Sequence, residues 1–553
     1  MNPKGKYVSF PVIKLENREW PNRKITQAPI WCSVDLRDGN QALATPMSVE
    51  QKMIFFDTLI ACGFKEIEVG FPAASLIEAE FVKRLIKEDK IPNDVTIQVL
   101  TPAREDLIKI TCELLIGVKK VIIHMYNSTS PAQRRIVFGL EKPEIIELAV
   151  QGTKWVKQYA SFLGEAEVRL QYSPESFSAT EVEFALDVCE AVAKEWKPTQ
   201  ENKIIFNLPE TVQVAMSNVY ADQVEWFCRH VSCRDSIIVS LHTHNDRGTG
   251  VASTELGLLA GADRVEGTLF GNGERTGNLD IITVALNLYT QGIDPKLDFS
   301  NINQIRKVYE ECTGMTVPSR QPYSGELVLT AFSGSHQDAI RKGLIARWGG
   351  LLQSGLLVWD VPYLTIDPID IGRDYKEVIR VTSQSGKSGK AYILENEYKI
   401  YLPKDMQREF GDITSKLVDN LGREVKAEEI KTMFWGEYID RTNPYSIEYF
   451  YSTNNIDSCE CNSIIKIDNA KAVLVGKGNG PIDAFINSLH DINVTDVCVL
   501  DQSEHTLGLG SDAKAIAYIK LKFSSGKIRW GAGIDTSIQL ASVKAVISAL
   551  NRE

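Results

Sequence analysis

The chain has 553 residues, of which 44% are hydrophobic and 24% charged, and its formal net charge at pH 7 is -11. This length exceeds what one hydrophobic core supports, so two to four domains are expected. The acidic balance argues against a general nucleic-acid-binding protein, because phosphate contacts need clustered lysine and arginine. With no secretory signal visible and no run of the ~18–20 apolar residues that a membrane span needs, we expect a cytoplasmic protein with no membrane partner.

Up to about residue 300, β-rich runs alternate with amphipathic helical segments. Helix boundaries are marked by a capping-box pattern at Ser48 and Gln51 and by glycines such as Gly63. Eight strand-helix repeats predict a (β/α)8 barrel, and the absence of GxGxxG after the first strand disfavours a dinucleotide-binding fold. The eight predicted strands are Trp31–Leu36, Glu66–Phe71, Val95–Leu100, Val121–Met125, Glu167–Tyr172, Lys203–Leu208, Ile237–His242 and Arg264–Phe270.

Polar side chains follow most of these strands at their carboxyl ends. In barrels of this type that end carries the active site, so the residues there become candidates for chemistry. They are Arg37 and Asp38, His124, Ser173 and Glu175, Pro209 and Thr211, His242 and His244, and the glycine-rich segment 271–278.

A metal site is the most specific prediction at this end of the barrel. His242 and His244 are two apart on a strand, so both imidazoles point the same way and can share one divalent ion. Asp38 is the natural third ligand, although an aspartate in Asp-Gly-Asn also often caps a turn. Mixed nitrogen and oxygen ligands suit Zn, Mn, Mg or Co and do not choose among them.

The remaining polar groups have two readings each. Arg37 could neutralise an oxyanion or form a salt bridge at the rim, and Glu175 could be a base or a surface glutamate. His124 could be an active-site residue or a hydrogen-bonded histidine of the core. Thr211 could bind a substrate carboxylate or cap the following helix. A metal beside such bases favours chemistry at a carbon next to a carbonyl, which makes or breaks a carbon–carbon bond.

Segment 271–278 lacks the Lys-Ser/Thr of a phosphate-binding loop. We favour a turn that brings Asn278 toward the metal.

The last third of the chain shows a different pattern. After a break at residues 321–325 comes a helical segment, and a proline-containing connector covers residues 361–368. The last 120 residues contain two β-rich units, each followed by a glycine turn and a helix, the first helix at Ile482–His490 and the second at Thr536–Leu550. This repeat predicts a pseudo-twofold α/β module for dimerisation or ligand binding.

Four motifs together resemble those of a known family. Leu36-Arg-Asp-Gly-Asn-Gln41 and Leu241-His-Thr-His-Asn-Asp246 are similar to the signatures of 2-isopropylmalate and homocitrate synthases. The segments 270–278 and 330–338 narrow the resemblance to the longer type of 2-isopropylmalate synthase. The resemblance implies a metal-dependent condensation of acetyl-CoA with 2-oxoisovalerate in leucine biosynthesis, with Mg, Mn or Zn as the metal and potassium as an activator.

The resemblance also implies roles for individual residues. Asn278 would join Asp38, His242 and His244 around the metal, and His336 and Tyr363 would reach the site from the partner subunit of a homodimer. His336 and Glu175 are rival candidates for the base. The keto-acid pocket would be lined by Arg37, His124, Ser173, Glu175, Pro209 and Thr211, and leucine would bind as effector near Gly478, Asn479, Gly480 and Ile534.

One departure concerns this effector region. Gln502 and Ser503 stand before Glu504-His505, where the family often has an aromatic residue, so leucine affinity is in question.

The domains implied are an N-terminal extension (1–27), a catalytic barrel (28–325), linker subdomains (326–430) and a regulatory, dimerising domain (431–553). Three alternatives stay open. The chain could be a sister synthase that uses pyruvate or 2-oxoglutarate, such as a citramalate or homocitrate synthase. It could also be a lyase on the same barrel, or a catalytically idle leucine sensor.

Overall fold

The computed structural model describes residues 10–331, 333–348, 358–374, 387–421, 425–454, 458–468, 470–508 and 513–553. The chain divides into two compact units. The first comprises Met1–Val328 with Ile366–Arg373, and the second comprises Leu329–Thr365 with Asp374–Glu553. Among the residues so described, no helix combines the length and the apolar character needed to cross a membrane.

The first unit contains a closed barrel of eight parallel strands in sequence order, with the eighth paired to the first. This confirms the predicted (β/α)8 fold. The strands are β1 Ile30–Ser33, β2 Glu66–Gly70, β3 Thr96–Pro102, β4 Lys120–Ser128, β5 Glu167–Glu175, β6 Ile204–Glu210, β7 Ile237–Thr243 and β8 Arg264–Gly267. The helices are α1 Val49–Ala61, α2 Leu76–Lys87, α3 Glu105–Leu114, α4 Lys142–Ala160, α5 Val182–Trp196, α6 Ser217–His230, α7 Gly250–Leu259, α8 Ile281–Tyr289 and α9 Ile302–Thr313.

Local sequence explains where the first helices begin. Ser48 and Gln51 form the predicted reciprocal capping box at the start of α1, which satisfies backbone groups that a helix end leaves without partners. Ser75 caps the start of α2, because its hydroxyl accepts a hydrogen bond from the Glu78 backbone amide. Gly63 follows α1 with a φ of +96°, a conformation that favours glycine.

Four predicted strand ends were wrong by three residues, and all lie next to the candidate site. β4 and β5 continue past the predicted Met125 and Tyr172 to Ser128 and Glu175, whereas β1 and β8 end earlier than predicted. The first strand stops at Ser33, because the Val34 carbonyl accepts hydrogen bonds from the amides of residues 37, 38 and 39 and the chain turns as a π-helix over Asp35–Gly39. The eighth strand stops at Gly267, and a 3-10 turn, Leu269–Gly271, follows it. Arg37 and Asp38 therefore stand on a wide turn rather than beyond a strand.

The second unit contains two antiparallel three-stranded sheets. One consists of β9 Tyr445–Asn454, β10 Cys459–Ile467 and β11 Ala470–Gly478, and the other of β12 Cys498–Leu507, β13 Lys514–Lys522 and β14 Ile528–Asp535. Each sheet is followed by a helix. α14, Pro481–Ser488, follows the first sheet, and α15, Ile538–Leu550, follows the second. This confirms the predicted pseudo-twofold α/β module.

Four further helices precede these sheets: α10 Gly334–Trp348, α11 Lys387–Tyr398, α12 Lys404–Leu421 and α13 Ala427–Phe434. Phe410 and Phe434 of this helical group share a core with Tyr518 and Trp530 of the second sheet. The other core of the unit joins both sheets to α14 and α15.

Candidate metal and active site

Three predicted metal ligands converge at the carboxyl end of the barrel. His242 lies near the end of β7 and His244 follows it, and each side chain is almost fully buried. Asp38 Oδ2 lies 3.1 Å from His242 Nε2 and 3.8 Å from His244 Nε2. Nitrogen and oxygen atoms of the three side chains all lie within 4.8 Å of one another, so one ion could contact all three.

Two buried atoms beside this cluster fit a bound cation. Within the part of the chain that is described, His244 Nδ1 and Asn278 Oδ1 have no hydrogen-bond partner. The backbone of Asn278 forms an isolated antiparallel β-bridge with that of His244. The side-chain Nδ2 of Asn278 donates to the Asn272 carbonyl at 3.0 Å. An acceptor oxygen that is buried and has no donor is costly unless a ligand occupies it. The donor set therefore fits a divalent metal held by nitrogen and oxygen.

The two histidines differ in their electrostatic surroundings. Burial would lower the pKa of His242, but hydrogen bonds with Asp38 and Glu266 raise it to about 9. Burial and the neighbouring His242 lower the pKa of His244 to about 4. Burial would raise the pKa of Asp38, yet Arg37 and the histidines lower it overall. Asp38 is thus held as a carboxylate, the form that binds metal.

Glu68 is a site residue that the sequence interpretation missed. Its fully buried carboxylate accepts hydrogen bonds from Arg37 Nε at 3.0 Å and contacts His124 Nδ1 at 2.8 Å. His124 Nε2 lies 2.7 Å from the Ser173 hydroxyl, which also accepts from Asn207. The signal was present in the predicted second strand, where two glutamates alternate in an otherwise apolar run and so share one face.

Glu266 was missed as well. Its Oε2 lies 2.9 Å from His242 Nδ1, and its Oε1 accepts from Gln98, Gln171 and Arg264. All of these side chains lie inside the barrel. Arg264 in turn contacts Glu66. His242 is thereby connected to a buried network of charged and amide groups.

A cavity of about 170 Å³ opens above these groups. Glu175 faces it and accepts a hydrogen bond from Ser128. The Thr211 hydroxyl accepts a bond of 3.0 Å from the Ser176 amide, so that hydroxyl still has its own hydrogen to donate. All six predicted pocket residues line the cavity, namely Arg37, His124, Ser173, Glu175, Pro209 and Thr211. Glu274 and Arg275 of the candidate segment 271–278 also line it, as do Leu100, Tyr126 and Asn207, which the sequence interpretation did not single out.

The other predicted residues lie in the second unit. The rings of His336 and Tyr363 stack, with centroids 4.0 Å apart, and both side chains are exposed. Gly478, Asn479 and Gly480 join β11 to α14, and Ile534 stands near the end of β14 just before α15. These are corresponding strand-to-helix junctions of the two repeats. Gln502 and Ser503 are exposed on β12.

Three family profiles match the chain in succession. Residues 28–308 match the HMGL-like family. Residues 326–395 match the post-catalytic domain-like family of alpha-isopropylmalate synthase, and residues 424–553 match the LeuA allosteric (dimerisation) domain. The first match begins just before the first barrel strand and the third ends at the last residue, with residues 309–325 and 396–423 lying between matches.

Full-length bacterial proteins are similar to the chain. It is 52% identical to the 2-isopropylmalate synthase of Clostridium acetobutylicum, over 99% of each chain. It is 53% identical to that of Pseudomonas putida, over 100% of this chain and 97% of the relative. The protein of the same name from Acetoanaerobium sticklandii is 51% identical, over 99% and 96% of the two chains.

Proposed function

The chain belongs to the 2-isopropylmalate synthase family, and from this premise we infer that it condenses acetyl-CoA with 2-oxoisovalerate and releases 2-isopropylmalate and CoA. The acetyl methyl carbon loses a proton and attacks the keto carbon, and water then cleaves the thioester. This is the first step of leucine biosynthesis. The observation that carries the conclusion is a sequence identity above 50% to 2-isopropylmalate synthases over essentially the whole chain. The cluster of Asp38, His242 and His244 is present as well.

Asp38, His242, His244 and Asn278 are proposed to hold the metal. A divalent ion held by these residues would supply Lewis-acid polarisation of a keto oxygen, which favours attack at the carbon that bears it. The ion could be Mg, Mn or Zn, because the mixed donor set suits each of them. Activation by potassium is a further proposal from the family resemblance.

The walls of the cavity are proposed to orient the keto acid. Arg37 is held by Asp38 at 2.6 Å and by Glu68, which fixes a guanidinium at the cavity for the substrate carboxylate. His124 and Ser173 form a hydrogen-bonded pair on the same cavity, and Pro209 and Thr211 line it further. These groups bind and orient substrate without being consumed.

Two residues are proposed to share the proton that leaves the acetyl methyl group. Glu175 lines the cavity and could accept it directly. His336, stacked on Tyr363, is the second candidate. We propose that the protein is a cytoplasmic homodimer in which His336 and Tyr363 serve the barrel of the other subunit.

Feedback by leucine is proposed to act through the strand-to-helix junctions of the C-terminal repeats. Gly478, Asn479 and Gly480 lie at one junction and Ile534 at the other. The Asn479 amide already donates to the Asp483 carboxylate at 2.8 Å, which fixes the first junction. The regulatory domain match over residues 424–553 supports this proposal.

The activity is tested by incubating the enzyme and divalent metal with acetyl-CoA and 2-oxoisovalerate. Free CoA is followed with a thiol reagent, and the acid product is identified by mass spectrometry. We expect equal amounts of CoA and 2-isopropylmalate, and loss of both in Asp38→Asn. Release of CoA without the condensed acid would overturn the assignment.

A further inference from the structure

An ion pair between a fully buried lysine and a partly buried glutamate lies directly behind the turn that carries Arg37 and Asp38. Lys52 of α1 is fully buried, and its ammonium group contacts the carboxylate of Glu78 in α2. The same ammonium donates a hydrogen bond of 2.9 Å to the Leu36 carbonyl, immediately before Arg37. One buried cation therefore ties the turn to two helices.

Glu78 extends this connection to the loops after β1 and β2. Its second oxygen accepts a bond of 3.2 Å from the Phe71 amide. Its first oxygen lies 3.4 Å from the amide nitrogen of Asn40, whose own oxygen accepts from the Met47 amide at 2.7 Å. A Cβ atom on Gly70 would lie only 1.9 Å from the Glu78 carboxylate, so glycine leaves room for it.

The pair is not explained by stability. An ion pair with a fully buried member often contributes no more than well-packed apolar side chains of the same volume would, because the buried charge, here that of Lys52, loses its hydration. Burial lowers the pKa of Lys52, although the Glu78 carboxylate opposes this, as expected for an ammonium group kept from water. What the pair does contact is the π-helical turn Asp35–Gly39, whose shape sets the direction of the Arg37 and Asp38 side chains.

We propose that Lys52 and Glu78 are positioning residues, which hold the Leu36 carbonyl so that Asp38 faces His242 and His244. This inference rests on the proposed metal-binding role of Asp38. Loss of the pair lets the turn relax and moves the carboxylate away from the two rings, which lie 3.1 and 3.8 Å from it. Neither residue lines the cavity.

The test is the double variant Lys52→Met/Glu78→Gln, which removes both charges at nearly constant volume. Three quantities are measured: the affinity of the metal-free protein for Mn²⁺, kcat with its KM for the keto acid, and the melting temperature. Changes around a metal ligand cost about 10–100-fold in affinity or activity. We expect Mn²⁺ affinity and kcat to fall by about tenfold or more while the melting temperature stays close to that of the wild type.

The matched control is Arg234→Met/Asp263→Asn. Arg234 also joins a carboxylate, Asp263 at 2.7 Å, to backbone carbonyls, those of Ile237 and Gly261 at 2.9 Å, but at the opposite end of β7. A purely structural role predicts the same behaviour for both pairs. A positioning role predicts weaker Mn²⁺ binding only in the Lys52/Glu78 variant.

Mn²⁺ affinity within about twofold of the wild type in the Lys52/Glu78 variant, or an equal loss in the control, overturns the inference. Should the double variant not fold, Glu78→Gln alone is judged by the same criterion. Asp38→Asn separates the two levels of the account. If Asp38→Asn still binds Mn²⁺, the proposed metal site is wrong. If Asp38→Asn loses Mn²⁺ but the Lys52/Glu78 variant binds it as the wild type does, only the positioning role is refuted.

Discussion

At the residue scale, His242 and His244, the two proposed histidine ligands, are held in different ways. Glu266 lies 2.9 Å from His242 Nδ1, whereas His244 Nδ1 is one of the buried atoms that has no partner among the described residues. A carboxylate on the far nitrogen fixes the ring orientation of a metal-binding histidine and raises its basicity. His242 is therefore the ring whose orientation the protein sets in advance.

We predict that Glu266→Gln weakens metal binding by roughly tenfold to a hundredfold, because the His242 ring loses its anionic partner. Titration of the metal-free protein with Mn²⁺ measures this. Glu66→Gln is the control, since Glu66 contacts the same Arg264 but not His242. Equal affinities of the Glu266 and Glu66 variants would contradict the prediction.

Asp35 gives a prediction on stability and pH. Burial raises the pKa of this carboxyl to about 7, even though Ser33 and the Leu269 amide donate to it. A raised pKa means that the folded state holds the proton more tightly, so this contribution to stability is complete below about pH 4 and is lost as the pH rises through 7. Asp35→Asn does not titrate, and its melting temperature relative to the wild type should rise between pH 5 and pH 8. Parallel pH profiles would refute this.

The residue-level predictions named the proposed metal ligands but not the side chains that contact them. His242 and His244 follow from spacing along one strand, and Asp38 follows from its place after another. Glu68 and Glu266 depend on which side chains meet across the barrel interior, where β2 lies beside β1 and β8 beside β7. That register is set by barrel closure, which local sequence does not contain.

At the scale of elements, the segment 271–278 presents Asn278 to His244. Gly277 has a φ of +99°, and a Cβ there would lie 2.1 Å from the Gly271 carbonyl oxygen. The Gly277 carbonyl also accepts from the Asn245 amide at 3.0 Å. The turn therefore depends on glycine at this position.

Gly277→Ala should displace Asn278 and lower kcat by about tenfold or more, since small shifts of site residues have large kinetic effects. Gly436→Ala serves as the control, because a Cβ at Gly436 meets no atom within 4 Å. Steady-state rates of both variants provide the measurement. Wild-type kcat in Gly277→Ala would show that the position of Asn278 is unimportant.

Most elements could be predicted from hydrophobic periodicity and end signals, as at Ser48 and Gly63. The ends of β1 and β8 could not. β1 ends where the Val34 carbonyl accepts three amide donors at once, and Val34 is an ordinary apolar residue that gives no local signal for such a turn. β8 ends shortly before the 3-10 turn Leu269–Gly271. The wide turn at Asp35–Gly39 became visible only with the structure.

At the scale of the whole molecule, the two C-terminal repeats offer a test of regulation separate from catalysis. A Cβ on Gly478 would lie 2.4 Å from the Ala484 amide, so Gly478→Ala distorts the junction of β11 with α14. We predict weaker inhibition by leucine with an unchanged rate in its absence, measured as a leucine dose–response. A wild-type response in the variant would place the effector elsewhere.

The order of barrel, helical segment and repeated module could be read from the chain, because each has its own period of apolar residues. The stacking of His336 on Tyr363 could not, since the two lie far apart in sequence and neither strand nor helix periodicity connects them. The predicted domain boundaries remain predictions.

The most direct test of the account is a comparison of kcat/KM for CoA release across a panel of 2-oxo acids. The panel contains 2-oxoisovalerate, pyruvate and 2-oxoglutarate, each with acetyl-CoA and saturating divalent metal. We predict the highest kcat/KM for 2-oxoisovalerate, with no activity in Asp38→Asn. A higher value for pyruvate or 2-oxoglutarate, or no CoA release with any keto acid, would contradict it.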